Sequence, residues 1–246
     1  MRTLLLRLAA PLQAWGTESK FDIRKTHREP SKSGVIGLLA CALGIRREDS
    51  AAMFELSKLS FGVRVDQAGQ QLMDYHTVKS YKSIKDYLAE GDPADAYQTY
   101  RYYLADAVFL AAVSSEDDAL MHRLEAALHR PAFPLFLGRR SCPPTLPLSL
   151  GLRKLALEEA LRKEPWQASS EYQNQWKRKH AGQTLHLRMI LDADEKAKNI
   201  AQMRDVPKSF DPAWRQYAFR NVKEERTDLR FSDTIHDAMA EVEACT

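Results

Sequence analysis

The order of its elements predicts an α+β fold for this chain. Three observations carry the prediction. Apolar runs of strand length occur at residues 3–9, 59–65 and 104–113, and a run of small apolar residues with helix-start signals follows Pro30. A turn rich in Gly, Arg and Pro at 138–143 leads into a further apolar run at 146–150.

Thr3 to Ala9 is short, apolar and followed by Pro11, as suits a buried strand. The polar segment from there to Pro30 is too long for a simple turn and carries Lys20, Arg24, Lys25, His27, Arg28 and then Lys32. A helix starts near Ser33 behind a hydroxyl cap and ends at Gly44 before a charged Arg46-Arg-Glu-Asp49. A short helical piece at 51–56 precedes the alternating strand Leu59 to Val65, with its turn at Asp66 to Gln70. Residues 74–103 break the pattern. They hold seven of the nine tyrosines, interleaved with Lys79, Lys82, Lys85 and Arg101, and read as an inserted arm. A strand resumes at 104–113, and Ser114 to Asp118 caps a helix whose Leu120, Leu124, Ala127 and Leu128 share a face. The resulting order is strand, helix, strand, insertion, strand, helix, strand. That is the split βαβ of a ferredoxin-like (RRM-like) domain, a fold shared with RNA-recognition modules. Beyond Gly151 the pattern thins to a helix at 155–163, a loop at 167–182, strands at 184–191 and 214–222, and a terminal helix at 233–244. The expected organisation is a ferredoxin-like domain at 1–151, a smaller β-containing region at 152–222 and an acidic extension at 223–246.

A chain of 246 residues with 44% hydrophobic content can bury a substantial core. Val35 to Ile45 is too short to span a bilayer, and Arg7 interrupts the first apolar run, so a cytoplasmic, membrane-free protein is expected. Cys41, Cys142 and Cys245 are odd in number and widely spaced, which indicates neither a disulfide framework nor a zinc site; no metal or cofactor is expected. The formal charge of +3 conceals an asymmetry: residues 223–246 carry three Lys/Arg and seven Asp/Glu, which leaves +7 on residues 1–222. No acid falls between Glu125 and Glu158, or between Glu171 and Asp192. Such single-sign stretches suit a polyanion.

Three local features invite chemistry, each with a plainer alternative. Lys32, Ser33 and Gly34 stand at a helix mouth whose free N–H groups suit a phosphate, whereas Gly34, Gly37, Ala40 and Gly44 equally suit close helix–sheet packing. The aromatics and cations of the arm suit base stacking, or a tyrosine-rich protein contact. Gly138-Arg-Arg-Ser-Cys-Pro143 offers guanidinium forks and backbone N–H groups to phosphates, or is a structural turn. Walker A, dinucleotide and nucleophile-elbow motifs are absent from the sequence. His27, Tyr75 and His76 with nearby lysines are the residues able to activate a ribose 2′-hydroxyl without metal, but nothing in their spacing orders them into a dyad.

Leu4 to Gly16, Pro30 to Ile45, Asp74-Tyr-His-Thr-Val78, Tyr103-Leu-Ala-Asp-Ala107 and Leu137-Gly-Arg-Arg-Ser-Cys-Pro143 together resemble the Cas-five (Cas5) RAMP subunits of type I-E CRISPR Cascade complexes. The matching blocks run in order to about residue 151. The resemblance implies a RAMP domain whose thumb-like arm reaches over RNA. It implies a non-catalytic subunit of a ribonucleoprotein complex in antiviral defence, capping the 5′ handle of the CRISPR RNA (crRNA). Its partners would be the backbone (Cas-seven type) subunit and the large subunit, with target DNA met indirectly. The RNA-contacting residues would be Gln13, Trp15, Arg24, His27, Arg28, Lys32, Ser33 and Gly34 in the first loop and helix start. Tyr75, His76, Lys79 and Arg101 would act from the arm, and Gly138, Arg139, Arg140 and Ser141 from the glycine turn. No catalytic residue is assigned. The alternative is the metal-independent repeat-RNA endoribonuclease of the related type I-C branch.

Overall fold

A computed structural model describes residues 1–16, 22–89, 95–194, 196–197, 199–211 and 214–229. In chain order its strands are β1 (Arg2–Ala9), β2 (Leu12–Gln13), β3 (Ile23–Arg24), β4 (Ser60–Gln67), β5 (Gln70–Ser80) and β6 (Asp95–Ala105). They continue with β7 (Val108–Ser115), β8 (Ser149–Arg153), β9 (Leu185–Asp192), β10 (Ile200–Ser209) and β11 (Gln216–Leu229). The helices are α1 (Lys32–Leu43), α2 (Ser50–Ser57), α3 (Ile84–Leu88), α4 (Asp118–His129), α5 (Leu157–Lys163) and α6 (Ser170–Lys179).

Seven strands form one antiparallel sheet in the order β10-β11-β9-β4-β7-β1-β8. Leu4, Leu5, Leu6 and Leu8 of β1 are all fully buried, because the sheet is covered on both faces and alternation disappears where neither side meets water. On one face Leu4, Leu6 and Leu8 join Phe61, Val63, Phe109 and Val113 against Val35, Ile36 and Leu39 of α1 and Met121 and Leu124 of α4. On the other, Leu5, Leu110, Ala112 and Met189 pack against Ala160 and Leu161 of α5. The arm belongs to a second sheet: β6 pairs with β5 along one side and with β2 and β3 on the other.

The elements up to α4 stand near their expected places, and Gly44 ends α1 in the left-handed conformation (φ 76°). Leu104 belongs to the end of β6 rather than to the next strand, which starts at Val108 after a turn with Asp106 at φ 54°. The last strand of the first half runs 149–153 rather than 146–150; Leu146 is exposed, and Pro147 has no N–H to give a ladder. The expected loop at 167–182 contains α6, capped by Ser169, whose narrow apolar side is Trp176 set edge-on to Trp166. Strand β10 lacks a sequence signal because it is an edge strand, polar on most positions and interrupted by Pro207. The expected start of an acidic extension at Lys223 falls inside β11, whose ladder with β9 continues to Leu229. Its charges are cross-strand or helix partners: Glu224 accepts from Arg188 at 3.1 Å, and Lys223 donates to Glu158 of α5 at 2.9 Å. The expected helix at 233–244 lies outside the described residues.

Two buried ionic junctions fasten the later elements to the sheet. Arg64 and Asp66 of β4 are both buried, and every guanidinium donor has an acceptor. Nε and Nη2 donate to the two Asp66 oxygens at 2.7 and 2.9 Å, Nη1 to the carbonyls of Leu161 and Glu164, and Nη2 also to that of Pro165. The arginine thereby caps the C-terminal end of α5, where carbonyls lack helical partners. The second junction joins Arg220 of β11, Asp205 of β10, Asp192 of β9 and the start of α1. The β10–β11 register shifts between Arg204 and Val206, so Asp205 is the extra residue of a bulge. Its carboxylate turns to Arg220, at 2.6 and 2.9 Å, and to the backbone N–H of Lys32 at 2.7 Å.

Asp66→Ala leaves Arg64 charged and unpaired in the interior. A loss of about 3–5 kcal/mol is expected from the cost of breaking a buried pair by removing one partner. A urea denaturation midpoint within error of wild type would show that the pair does not hold α5.

Candidate nucleic-acid interface

An open cleft of about 1770 Å³ runs along α1. Its walls come from the first loop (Ala14 to Gly16 and Ile23 to His27), the segment Phe133 to Arg140 with Pro143, and the β10–β11 region through Arg204, Phe210, Arg215 and Tyr217. Small residues of α1, among them Gly34, Gly37 and Ala40, lie along its floor. Among the described residues eight of the lining are cationic, Arg24, Lys25, Arg46, Arg47, Arg139, Arg140, Arg204 and Arg215, against one acid, Glu48. Charges of one sign along a concave wall reinforce one another's potential, so the cleft attracts an anionic chain.

The glycine turn is built against the first loop. Gly138 has φ 85°, and a Cβ there would lie 1.6 Å from the Ala14 carbonyl oxygen, so only glycine fits. Leu137 N–H donates to the Cys142 carbonyl and Cys142 N–H to the Arg139 carbonyl, both at 2.8 Å, while Ala14 N–H donates to the Leu137 carbonyl at 3.1 Å. The turn projects Arg139 and Arg140 into the cleft and sends Cys142 inward. Arg139 donates from Nη2 to the Arg24 carbonyl at 2.9 Å, and its guanidinium carbon stands 4.3 Å from the centroid of the Tyr103 ring.

Of the residues expected to meet RNA, the cleft brings together Trp15, Arg24, His27, Ser33, Gly34, Gly138, Arg139 and Arg140. Arg28 and Ser141 are exposed beside it. Gln13 does not line the cleft, and both it and Trp15 are engaged within the fold. Gln13 is fully buried and donates to the carbonyls of Leu8 and Ala107 at 3.1 and 2.7 Å. Trp15 is 1% exposed, and its indole N–H donates to the Gln13 side-chain oxygen at 3.0 Å. The indole lies so close over Gly34 that a Cβ there would meet it at 2.8 Å, which gives this glycine a packing reason.

At the helix mouth Ser33 and Gly34 line the cleft, and Lys32 does not. Two of the mouth's backbone donors are satisfied, Lys32 N–H by the Asp205 carboxylate and Gly34 N–H by Ser31 Oγ at 3.2 Å. Lys32 is buried, and its Nζ stands 3.2 Å from Asp192. A phosphate placed there would meet two carboxylates. Burial works against the charge of Arg220, yet hydrogen bonds and the charges of Asp205 and Asp192 outweigh it and hold the guanidinium above its ordinary range.

Tyr75, His76, Lys79 and Arg101 stand on the arm, and none of them lines the cleft. Tyr75 is half exposed, with its ring 5.5 Å from that of Tyr100 across the ladder. His76 is paired with Asp74, and Arg101 Nε donates to Thr99 Oγ1 at 3.4 Å. His27 thus lines the cleft, and Tyr75 and His76 do not. Burial pushes the Cys41 and Cys142 thiols up, away from the thiolate form that a nucleophile requires. Among the described residues no three His, Cys, Asp or Glu side chains group as metal ligands, and no helix is long and apolar enough to cross a membrane.

Arg46, Arg47, Arg204 and Arg215 are cleft residues that sequence reasoning missed, together with Phe133, Phe136, Phe210 and Tyr217. Arg46 and Arg47 read as a helix stop. Arg204 lies in β10, which carries no sequence signal, and Arg215 falls in the strand expected at 214–222; only their spatial convergence marks them.

Comparison with known proteins places these features. The family described as "CRISPR-associated protein (Cas_Cas5)" matches residues 3–223. The CRISPR system Cascade subunit CasD of Escherichia coli (strain K12) is 40% identical over 163 residues, which cover 60% of this chain and 70% of that protein. A solved chain titled "CRISPR RNA-guided surveillance complex" superposes with a TM-score of 0.73 at 31% identity, over 96% of this chain and 94% of its own. Another, titled "Crystal structure of Cas protein", gives 0.68 at 36% identity, over 96% and 98%.

Gly138→Ala forces a positive φ on alanine and drives its Cβ into Ala14. A loss of about 2 kcal/mol is expected from the left-handed backbone and the clash, read as a melting temperature lower by about 4–8 °C. An unchanged melting curve would count against the close docking of turn and loop.

Proposed function

Because the chain belongs to the CRISPR-associated Cas5 protein family, we propose that it is a Cascade subunit that binds and caps the 5′ handle of the crRNA without cutting it. The observation that carries this reading is the cleft along α1, with its eight cations and single acid. The two acid-free stretches of sequence fare differently. Arg139 and Arg140 face the cleft, whereas Arg188 is bound to Glu29 and Glu224.

The domain is read as a ferredoxin-like RAMP module. Support comes from the antiparallel order β8-β1-β7-β4, with α1 and α4 as the helices of the two halves, which is the split βαβ arrangement. The β5–β6 arm is the thumb, and its Leu72, Met73, Val78, Ile84 and Leu88 are exposed apolar groups suited to the neighbouring backbone subunit. The large subunit and, through the assembled complex, target DNA are the remaining partners, and the complex acts in the cytoplasm.

The nuclease alternative draws on one observation, the presence of His27 in the cleft. Against it stands the absence of Tyr75 and His76 from the described cleft lining, since a cleaving site needs its acid and base within hydrogen-bond reach of one reacting group. Repeat RNA incubated with the purified protein in EDTA is expected to remain intact. A defined cut abolished by His27→Ala or His76→Ala would replace the capping reading by the nuclease one.

The cleft also makes a quantitative prediction. Arg204→Ala plus Arg215→Ala should weaken handle-RNA binding and reduce its dependence on log salt by about 1.4, because each single-strand phosphate contact contributes roughly 0.7 to the slope. An unchanged slope in a salt titration would place the RNA elsewhere.

A further inference from the structure

We propose that Arg139 is a fixed reader of one nucleotide in the bound RNA, and that Arg140 beside it supplies attraction without selectivity. The inference rests on the handle-binding reading and assigns unequal roles to two adjacent, identical residues.

Arg139 is held at three levels. Its backbone is set by the Gly138 turn, where the close approach of Ala14 excludes any side chain and the Cys142 N–H closes onto the Arg139 carbonyl. Its guanidinium is pinned by the bond from Nη2 to the Arg24 carbonyl. Its plane is backed by Tyr103, which at 3% exposure is itself fixed in the root of the arm. The conformational freedom that a surface arginine loses on binding, of order 2 kcal/mol, is therefore already largely lost here.

One donor group of this fixed fork is unused. Nη1 is buried and finds no acceptor among the described residues. It is the one buried side-chain nitrogen or oxygen in that condition among them. Nη1 carries two hydrogens, and leaving such a buried donor unmade costs about 1–3 kcal/mol. Arg139 lines the cleft, and a ligand in the cleft that reaches this group with an acceptor recovers that cost. The ligand chemistry is an acceptor on one nucleotide, either a base edge such as guanine O6 and N7 or the oxygens of a phosphate. Arg140, exposed on the same turn, has no comparable restraint and adds charge to the cleft wall.

Lysine keeps the charge but has neither the fork nor the flat face that stacks on Tyr103, so Arg→Lys separates geometry from charge. Wild type, Arg139→Lys and Arg140→Lys would be titrated with RNA bearing the repeat-derived 5′ handle and with a scrambled RNA of equal length, over a range of salt. Arg139→Lys should lose about tenfold on the handle RNA and little on the scrambled one, with an unchanged salt slope, while any loss in Arg140→Lys should be equal on the two RNAs. Retained handle preference in Arg139→Lys, or equal losses on both RNAs, overturns the inference alone. Equal binding of the two RNAs by wild type overturns the handle reading and this inference with it.

Substitution on the RNA side covers the case in which Arg139→Lys is less stable. Single 7-deazaguanosine and methylphosphonate replacements are scanned through the handle. One position should cost wild type about tenfold and cost Arg139→Lys nothing, a deaza position identifying a base edge and a methylphosphonate position a phosphate. A scan with no such coupled position overturns the proposal.

Discussion

The junction of Asp205, Arg220, Asp192 and Lys32 is the constraint on which the cleft depends. Helix α1 begins with donors that have no partner inside the helix, and the chain answers them from residues more than 170 positions away: Asp205 accepts from Lys32 N–H. The same carboxylate is bound by Arg220, which also reaches Asp192, and Asp192 accepts from the backbone N–H of Phe61 in β4 at 2.9 Å. One ionic cluster thus ties β10 and β11 to the start of α1 and to the central sheet. The β10–β11 wall with Arg204, Phe210, Arg215 and Tyr217 stands over α1 because of that tie. Burial makes the arrangement demanding. A desolvated guanidinium with two carboxylates is tolerable only when nearly every donor is matched, and removal of one member exposes the rest to the full desolvation cost.

This junction also explains where sequence reasoning succeeded and where it failed. Strand β1, helix α1 and the Gly44 stop were legible because periodicity, capping and a left-handed glycine are local signals. The Gly138 turn was legible as a feature, although the reason for the glycine, the Ala14 carbonyl, is not local. Lys32, Ser33 and Gly34 looked like a phosphate seat because nothing in the sequence reveals that a bulge in a strand without a sequence signature delivers Asp205 to the same spot. Gln13 and Trp15 belong to a conspicuous motif, yet they bond to each other and to buried carbonyls. A helix mouth or an exposed-looking tryptophan becomes a site only after its internal partners have been counted.

The arm obeys a different constraint. Near its root β6 has strands on both sides, but β3 pairs with it only at Tyr100 and Arg101. Among the described residues, 95–99 pair with β5 alone, and the distal arm is there a two-stranded ribbon with no bulge in its register. Such ribbons are marginal in water unless something covers a face. Exposed Val78 and Tyr97, with Ile84 and Leu88 of α3 beyond them, are the groups a covering partner would use. The apolar character of this tip and the cationic character of the cleft divide the surface into an apolar part and a cationic part.

Total charge is a poor guide to which cations serve the second part. Arg64, Arg220, Lys32, Arg153 and Arg188 each have a carboxylate partner within the chain, so their charge is locally compensated and adds little to the field of the cleft. The cations that project into the cleft face one acid, Glu48, across the whole lining. Arg139 sits between these classes, half-buried like the structural arginines yet bonded to a carbonyl and a tyrosine face, neither of which cancels its charge. A polyanion drawn along the cleft by the exposed cations would meet a guanidinium whose direction the fold has already chosen. Attraction can then arise from many mobile residues while selectivity requires few rigid ones.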